Sequence, residues 1–211
     1  MPQDVEAIRA ILSLAPVIPV IILDDVDLAR PLAEALVAGG LPVLEVTLRT
    51  PNALKVMAEM CKVEGAVVGS GTVRTADHMR QSQDAGCRFM VSPGSPPRLL
   101  EEAEWMPIPL LPAIGTPTEA MGAAERGYSV LKFFPAEALG GAPVLKAFAS
   151  PLPDIVFCPT GGIDPANAKT YLSLPNVICV GGSWVMPKDA LDARDFGRIE
   201  RLAREAVALR G

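Results

Sequence analysis

The chain has 211 residues, which is enough for one domain with a full hydrophobic core. Its formal net charge of -5 at pH 7 and the lack of a basic run disfavour binding to nucleic acids and to anionic membranes. No window approaches the roughly 18 uninterrupted apolar residues of a membrane-spanning helix. Because the first residues are acidic rather than cationic, we expect a cytoplasmic protein without a secretion signal.

Eight short apolar runs alternate with helical patterns along the chain. The predicted strands are Val17–Ile22, Val43–Thr47, Ala66–Gly69, Phe89–Ser92, Ile108–Leu111, Val130–Phe133, Ile155–Cys158 and Val177–Val180. The predicted helices include Asp4–Leu14, Asp25–Ala38, Pro51–Cys61, Thr75–Ala85, Pro96–Ala103, Thr116–Arg126, Asp164–Ser173 and Gly197–Leu209. Such alternation predicts an α/β fold, a compact (β/α)8 TIM barrel with an N-terminal helix and one domain over residues 1–211.

Local helix signals support this order of elements. Four residue pairs are typical of an N-cap followed by proline at the first helical position: Thr50-Pro51, Ser95-Pro96, Thr116-Pro117 and Asp164-Pro165. The main alternative is an open doubly wound sheet, which usually carries Gly-x-Gly-x-x-Gly after its first strand. Here the first strand is followed by Leu23-Asp24-Asp25, which disfavours that alternative.

The cysteines and the single histidine indicate neither a metal site nor a disulfide framework. None of the four cysteines forms a Cys-x-x-Cys pair, and none lies close in sequence to His78. We therefore predict reduced thiols and no metal or cofactor. We interpret His78 as a polar helix residue, and a lone histidine also disfavours a serine or cysteine triad. The cysteines are Cys61, Cys87, Cys158 and Cys179.

Lys132 is the strongest candidate for a catalytic residue. It is the lone cation in the run Val130–Phe133, which predicts a buried strand. A buried ammonium is unfavourable, so buried lysines tend to lose their proton and become nucleophiles. Lys132 is therefore a candidate Schiff-base lysine. Alternatively, Lys132 and Glu45 could form a purely structural buried ion pair.

A second group of polar residues accompanies the second strand. Glu45, Thr47 and Arg49 are spaced by two and therefore share one strand face, which we expect to be the barrel interior. A cluster that lines a polar pocket is tolerable there, whereas an isolated charge would be unfavourable. Arg49 could hold a substrate carboxylate.

Glycine-rich turns follow the last two predicted strands. Gly161-Gly162 and Gly181-Gly182-Ser183 occupy a common phosphate position in barrels, where backbone N–H groups hold an oxyanion. The segment 69–72 is ambiguous, because it could be a tight turn or Thr72 could donate a hydroxyl to a carboxylate. Phe134 could belong to the core or line a pocket.

Six motifs occur in the same order as in one known enzyme family. They are Glu45-Val46-Thr47-Leu48-Arg49, Gly71-Thr72-Val73, Ser92-Pro93-Gly94, the run from Lys132 to Glu137, the run from Cys158 to Ile163, and Gly181-Gly182-Ser183-Trp184. From about Pro16 to Ala206 the chain closely resembles the class I aldolases of 2-keto-3-deoxy-6-phosphogluconate (KDPG), some of which also cleave 4-hydroxy-2-oxoglutarate (KHG).

The resemblance implies a barrel enzyme, usually a homotrimer, that acts on a small keto-acid phosphate. It implies that Lys132 forms the Schiff base and that Glu45 is the general acid and base. The remaining residues would bind the substrate. Arg49 and Thr72 would hold the carboxylate, Pro93 and Phe134 would line the pocket, Thr160 would contact sugar hydroxyls, and Gly161, Gly162, Gly181, Gly182 and Ser183 would form the phosphate site.

Ala113 departs from the family pattern, in which glycine often follows proline at the end of strand five. Its methyl group is expected to affect substrate fit rather than chemistry. Several functions stay open at this point. The substrate could be the galactonate-derived epimer or unphosphorylated KHG, or the protein could be a phosphate-binding isomerase or epimerase in which Lys132 acts only electrostatically. A non-catalytic sugar-acid-phosphate binding protein is disfavoured by the intact set of Glu45, Arg49 and Lys132.

Overall fold

Strands and helices alternate along most of the chain in the computed structural model, which describes residues 5–210. The strands are β1 (Val17–Ile21), β2 (Val43–Thr47), β3 (Val67–Gly71), β4 (Phe89–Val91), β5 (Leu110–Leu111), β6 (Ala113–Ile114), β7 (Val130–Phe133), β8 (Val156–Pro159) and β9 (Val180–Gly182). The helices are α1 (Val5–Leu12), α2 (Ala29–Ala38), α3 (Ala53–Met60), α4 (Ala76–Asp84), α5 (Pro97–Ala103), α6 (Pro117–Glu125), α7 (Gly141–Phe148), α8 (Ala168–Leu172), α9 (Lys188–Asp192) and α10 (Phe196–Val207). Short 3-10 turns lie at Val26–Leu28, Glu137–Leu139 and Ala208–Arg210.

All the paired strands run parallel and curl into a barrel. A six-stranded sheet has the order β5-β4-β3-β2-β1-β9, and a three-stranded sheet has the order β6-β7-β8. The sheets join at Pro112, between β5 and β6, and through two isolated bridges, Phe157 to Val177 and Thr160 to Gly181. Counted with β5 and β6 as one interrupted strand, the barrel has eight strand positions, which confirms the predicted fold class.

Two apolar layers stabilise this architecture. The larger one lies between the strands and the surrounding helices, where α10 contributes Ile199, Ala203 and Ala206. The smaller one fills the start of the barrel interior and includes Val43, Phe89 and Val130. Its remaining members come mostly from the other strands, and two of them, Ile8 and Leu12, come from α1. Helix α1 therefore covers the end of the barrel at which the strands begin.

Several predicted boundaries were wrong. The fifth strand is interrupted because Pro112 has no N–H to donate to a ladder, although its carbonyl still accepts from Lys132 N at 2.9 Å. The eighth strand is shifted toward its C-terminal end, because Val177 makes only an isolated bridge and regular pairing with β1 starts at Val180. Helices α7 and α9 were not predicted. The start of the predicted helix at Asp4 lies outside the described residues.

The predicted N-caps had mixed outcomes. Thr116 forms a complete capping box with Glu119 at the start of α6. Helices α3 and α5 begin later than predicted, at Ala53 and Pro97. The Asp164 carboxylate accepts from the N–H groups of Ala166 and Asn167 and caps a turn, so α8 starts only at Ala168. Within residues 5–210, no helix is both long and apolar enough to cross a bilayer.

Candidate active site

Lys132 and Glu45 meet inside the barrel. The Lys132 Nζ atom lies 3.1 Å from Oε1 and 3.3 Å from Oε2 of Glu45. Each residue is only 4% exposed. The pair lies beyond the apolar layer that fills the start of the barrel, toward the ends at which the strands finish. Barrel enzymes carry their active sites at that end.

Strand register explains how two distant segments converge. Glu45 is the third residue of β2 and lies beside Val20 of β1 and Gly69 of β3. Lys132 is the third residue of β7 and lies between Ala113 of β6 and Cys158 of β8. Ala113, the departure from the family pattern, is therefore a direct strand neighbour of Lys132.

Gly71 makes room for the Glu45 carboxylate. A methyl group at this position would lie 2.4 Å from Oε1 of Glu45, which is closer than a Cβ atom approaches a neighbouring atom in real proteins. Any side chain at the end of β3 would therefore displace the carboxylate from Lys132. The sequence motif included Gly71, but its function depends on β2 and β3 lying side by side with Thr47 opposite Gly71.

Arg49 and Thr72 form a second polar pair just after the ends of β2 and β3. The Nε atom of Arg49 donates to the Thr72 hydroxyl at 3.2 Å. Thr72 has a φ of 63°, a left-handed conformation that is unfavourable for a β-branched residue. Between the described residues, this pair makes no direct hydrogen bond with Lys132 or Glu45. Thr47 is fully buried, and its hydroxyl donates to the Ile21 carbonyl, so it ties β2 to β1.

The two aromatic residues after Lys132 have different surroundings. Phe133 is fully buried in the outer core and contacts Phe148 of α7 with ring centroids 6.1 Å apart. The Phe134 ring centroid lies 5.3 Å from Lys132 Nζ, so this residue faces the site. Pro93 borders a small cavity of about 280 Å³ with Val73 and Leu99.

The two glycine turns lie next to each other at the ends of β8 and β9. Gly161 and Gly162 have φ values of 102° and 77°, which only glycine adopts readily. Thr160 bridges to Gly181, and a methyl group at Gly181 would lie 2.3 Å from the Thr160 hydroxyl. Among the described residues, that buried hydroxyl has no hydrogen-bond partner.

A larger cleft of about 1050 Å³ adjoins the end of the second turn. Ser183 and Trp184 line it on one side, and Asp24 and Thr50 line it on the other. Gly182 is buried and Ser183 is exposed, so the turn runs from the barrel interior to this cleft. The predicted phosphate residues therefore lie at the open end of the barrel.

Two residues near the glycine turns were not singled out from the sequence. Glu137 accepts a hydrogen bond from the Tyr171 hydroxyl of α8. Because the two residues are 34 positions apart, no local sequence pattern linked them, although Glu137 belongs to the motif around Lys132.

Across residues 5–210, no group of three or more His, Cys, Asp or Glu side chains could hold a metal ion. The backbone N–H of Arg74 donates to Nδ1 of His78, which lies near the start of α4.

Comparisons with known proteins identify the family. The model of the family described as "KDPG and KHG aldolase" matches residues 8–202. A relative from Escherichia coli, named KHG/KDPG aldolase, is 49% identical over 200 residues, which cover 94% of each chain.

Two solved structures are similar over nearly their whole length. KDPG aldolase from Legionella pneumophila, captured with pyruvate as a covalent carbinolamine intermediate, has a TM-score of 0.92 and 44% identity and covers 94% of this chain and 97% of its own. The KDPG aldolase of Zymomonas mobilis ZM4 with 3-phosphoglycerate has a TM-score of 0.93 and 47% identity, covering 99% of this chain and 97% of its own. The chain therefore belongs to the KDPG and KHG aldolase family, a family of carbon–carbon lyases.

Proposed function

We propose that this chain cleaves 2-keto-3-deoxy-6-phosphogluconate to pyruvate and glyceraldehyde 3-phosphate through a Schiff base on Lys132. The observation that carries the proposal is the contact of the buried Lys132 amine with both oxygens of Glu45. The pyruvate adduct of the Legionella relative is the product expected from such an amine and a keto acid. A second substrate, 4-hydroxy-2-oxoglutarate, is favoured by the similarity to the Escherichia coli KHG/KDPG aldolase.

The proposed reaction begins at the substrate ketone. The neutral Lys132 amine adds to the C2 carbonyl to give a carbinolamine, which loses water to form an iminium. Glu45 supplies the proton that the departing water needs and then, as a carboxylate, accepts the proton of the C4 hydroxyl. The C3–C4 bond breaks, its electron pair enters the iminium to form an enamine, and the aldehyde leaves. Protonation at C3 and hydrolysis release pyruvate and restore the amine.

The geometry suits Glu45 for these proton transfers. Both carboxylate oxygens are within hydrogen-bond distance of Nζ, so a proton can pass between the two groups without movement of either strand. The amine is nearly buried, because Lys132 is only 4% exposed, and it lies beside the Phe134 ring. Transfer of one proton from Lys132 to Glu45 gives the neutral amine, which is the form that attacks the ketone, and leaves a Glu45 carboxylic acid that can protonate the departing water.

We assign the substrate carboxylate to Arg49 and Thr72. The hydrogen bond to Thr72 uses Nε of Arg49. In the described part of the chain it leaves the terminal nitrogens of the guanidinium for a ligand, and a guanidinium binds carboxylates in a bidentate manner. The exposed side of Arg49 and the strained backbone of Thr72 support this assignment, because strain in a folded protein is frequently retained at ligand sites.

We assign the opposite end of the substrate to the two glycine turns. The unpartnered Thr160 hydroxyl would contact a sugar hydroxyl, and Gly161, Gly162, Gly181, Gly182 and Ser183 would surround the phosphate. Left-handed glycines allow successive backbone N–H groups to point into one concave site, which favours an anion. Pro93 and Phe134 would line the space between the two ends of the substrate.

We also propose that residues 1–211 form one barrel domain, that the protein works in the cytoplasm and that it assembles as a homotrimer. Strands from both halves of the described chain contribute to one barrel, which supports a single domain. The assembly and the location are supported by the resemblance to the family. Light scattering after size-exclusion chromatography tests the assembly, and a mass other than three chains would overturn it.

Trapping with pyruvate and borohydride tests the proposed chemistry. Reduction of the iminium should leave a stable pyruvyl adduct, which peptide mass mapping should place on Lys132 rather than on exposed lysines such as Lys146. An unmodified Lys132, under conditions that trap another lysine aldolase, would overturn the Schiff-base assignment and leave Lys132 in an ion pair with Glu45. Comparison of kcat/KM for the gluconate-derived substrate, its galactonate epimer and 4-hydroxy-2-oxoglutarate then identifies the preferred substrate.

A further inference from the structure

The segment that follows Lys132 is joined directly to the first glycine turn. The Ala136 N–H donates to the Thr160 carbonyl at 2.8 Å, and the Glu137 N–H donates to the Gly161 carbonyl at 3.1 Å. Glu137 is only five residues after Lys132. The position of this turn relative to the amine is therefore determined by a short and continuous piece of chain.

The Glu137 side chain lies directly against the turn. A methyl group on Gly162 would lie 2.7 Å from Cβ and 2.8 Å from Cγ of Glu137. The glycine at this position thus allows the Glu137 side chain to pack against the turn backbone. Any rotation of that side chain would change the surface on which the turn rests.

Tyr171 holds the Glu137 side chain in this position. The tyrosine hydroxyl donates to Oε1 of Glu137, and Tyr171 is only 1% exposed. Burial and this hydrogen bond raise the pKa of Tyr171, so its hydroxyl stays protonated and remains a donor near neutral pH. A methyl group at Gly141 would lie 3.0 Å from Glu137 Oε1 and 3.1 Å from the Tyr171 hydroxyl, so a larger side chain there would crowd the pair.

The same turn is also held from the side of α8. Nδ2 of Asn167 donates to the Gly162 carbonyl at 2.9 Å, and Oδ1 of Asn167 accepts from the Asp164 N–H at 3.0 Å. Asn167 is the N-cap residue of α8, and Tyr171 belongs to that helix. The turn therefore lies between two supports, and the hydrogen bond from Tyr171 to Glu137 connects them.

From this arrangement we infer that Glu137 and Tyr171 are positioning residues that set the distance between the Schiff-base amine and the phosphate-binding turn. The inference rests on the proposed function of both sites. The pair touches neither the amine nor the predicted position of the reacting bond. Its loss should therefore weaken the binding of phosphorylated substrates and leave the chemistry at Lys132 intact.

The test compares Tyr171→Phe and Glu137→Gln with Tyr128→Phe as the matched control. Tyr128 is 2% exposed, lies in the same core layer, and has a buried hydroxyl without a hydrogen-bond partner in the described chain. Tyr128→Phe therefore removes the same atom without breaking a hydrogen bond. Three quantities are measured for each variant: KM and kcat with the phosphorylated substrate, kcat/KM with unphosphorylated 4-hydroxy-2-oxoglutarate, and the rate of pyruvate trapping on Lys132.

We expect Tyr171→Phe to raise KM for the phosphorylated substrate about tenfold, as for the loss of a hydrogen bond to a charged group. The rate of pyruvate trapping and kcat/KM for the unphosphorylated substrate should stay at the wild-type values. Glu137→Gln should have a smaller effect, because its amide oxygen can still accept from Tyr171. The double variant should resemble Tyr171→Phe alone, since both substitutions act on one hydrogen bond.

Three results would overturn the inference while leaving the proposed Schiff base in place. One is a Tyr171→Phe variant that behaves as Tyr128→Phe does with the phosphorylated substrate. Another is an equal loss with phosphorylated and unphosphorylated substrates, which would indicate general damage to the fold. The third is a wild-type enzyme that traps pyruvate but does not prefer the phosphorylated substrate, because the turn then binds no phosphate. Failure of the wild type to trap pyruvate on Lys132 would instead disprove the proposed Schiff base, and with it this inference.

Discussion

The guanidinium of Arg49 donates from Nε to the hydroxyl of Thr72, a residue whose backbone has a left-handed φ of 63°. The two residues follow neighbouring strands, and Leu48 N donates to the Gly71 carbonyl between them at 2.9 Å. The residue with the unfavourable backbone, Thr72, is thus also the residue whose hydroxyl contacts the Arg49 guanidinium. The coincidence allows stability and substrate binding to be separated experimentally.

Thr72→Gly should stabilise the fold while weakening substrate binding. Glycine adopts this φ without strain, so the free energy of unfolding should rise by about 1 kcal/mol, as measured by urea denaturation. Loss of the hydroxyl should raise KM about tenfold if it binds the substrate carboxylate. Arg194, with a φ of 52°, offers a control for stability, because Arg194→Gly should also raise the free energy of unfolding. An unchanged KM in Thr72→Gly would remove Thr72 from the carboxylate site.

Gly71→Ala should reduce turnover strongly. The added methyl group would lie 2.4 Å from Oε1 of Glu45 and force the carboxylate away from Lys132. Because a small displacement of a catalytic group strongly lowers the reaction rate, we expect kcat to fall about 100-fold. Gly122→Ala is the matched control. Gly122 lies in α6 with no atom near the new methyl group, so this variant should gain about 0.5–1 kcal/mol of stability and keep its activity. Wild-type kcat in Gly71→Ala would contradict the proposed function of Glu45.

Lys132→Ala should abolish activity and lower the free energy of unfolding. It leaves the Glu45 carboxylate buried without its partner, which is expected to lower the free energy of unfolding at pH 7 by about 3–5 kcal/mol. The double variant Lys132→Met with Glu45→Gln removes both charges and should recover most of that loss in chemical denaturation. Neither variant should form an adduct with pyruvate. Turnover by the Lys132→Ala protein would refute the lysine mechanism.

Native thiol labelling should distinguish Cys61 from the other cysteines. A hydrogen bond from the Cys87 thiol lowers the pKa of Cys61, whereas burial raises the pKa of Cys179. Cys61 is also partly exposed, and Cys87, Cys158 and Cys179 are buried. Iodoacetamide should therefore modify Cys61 first, with a rate that reaches half its maximum below the pH of about 8.5 typical of a free thiol. Mass mapping checks the site, Cys61→Ser is the control, and faster labelling of Cys158 would contradict the predicted order.

Local sequence patterns predicted the features of the barrel that depend on the burial and alternation of neighbouring residues. Strands β2 and β7 have the predicted bounds, because each is a continuous run of residues that are buried in the fold. The interior location of Glu45 followed from the alternation of side chains along β2. Residue patterns could not place Lys132 within hydrogen-bond distance of Glu45, because the two residues are 87 positions apart and their contact depends on closure of the barrel.

The features that were missed depend on packing or on backbone geometry. Helix α7 begins at two glycines with positive φ, which masked the buried series Ala142, Leu145 and Phe148 that follows. The φ of Thr72 has no signature in its residue type. The hydrogen bond between Tyr171 and Glu137 joins two elements that are remote in sequence, and the motif that contains Glu137 does not indicate its partner.

Closure of one end of the barrel by α1 has a kinetic consequence. Ile8 and Leu12 pack among the first residues of the strands, so a ligand reaches Lys132 from the opposite end. For the proposed reaction, the aldehyde occupies the outer part of this route and the enamine stays attached at its inner end. Product release is therefore ordered, with the aldehyde first and pyruvate last. In the direction of synthesis, pyruvate must bind before the aldehyde, and an excess of aldehyde should act as a competitive inhibitor of pyruvate.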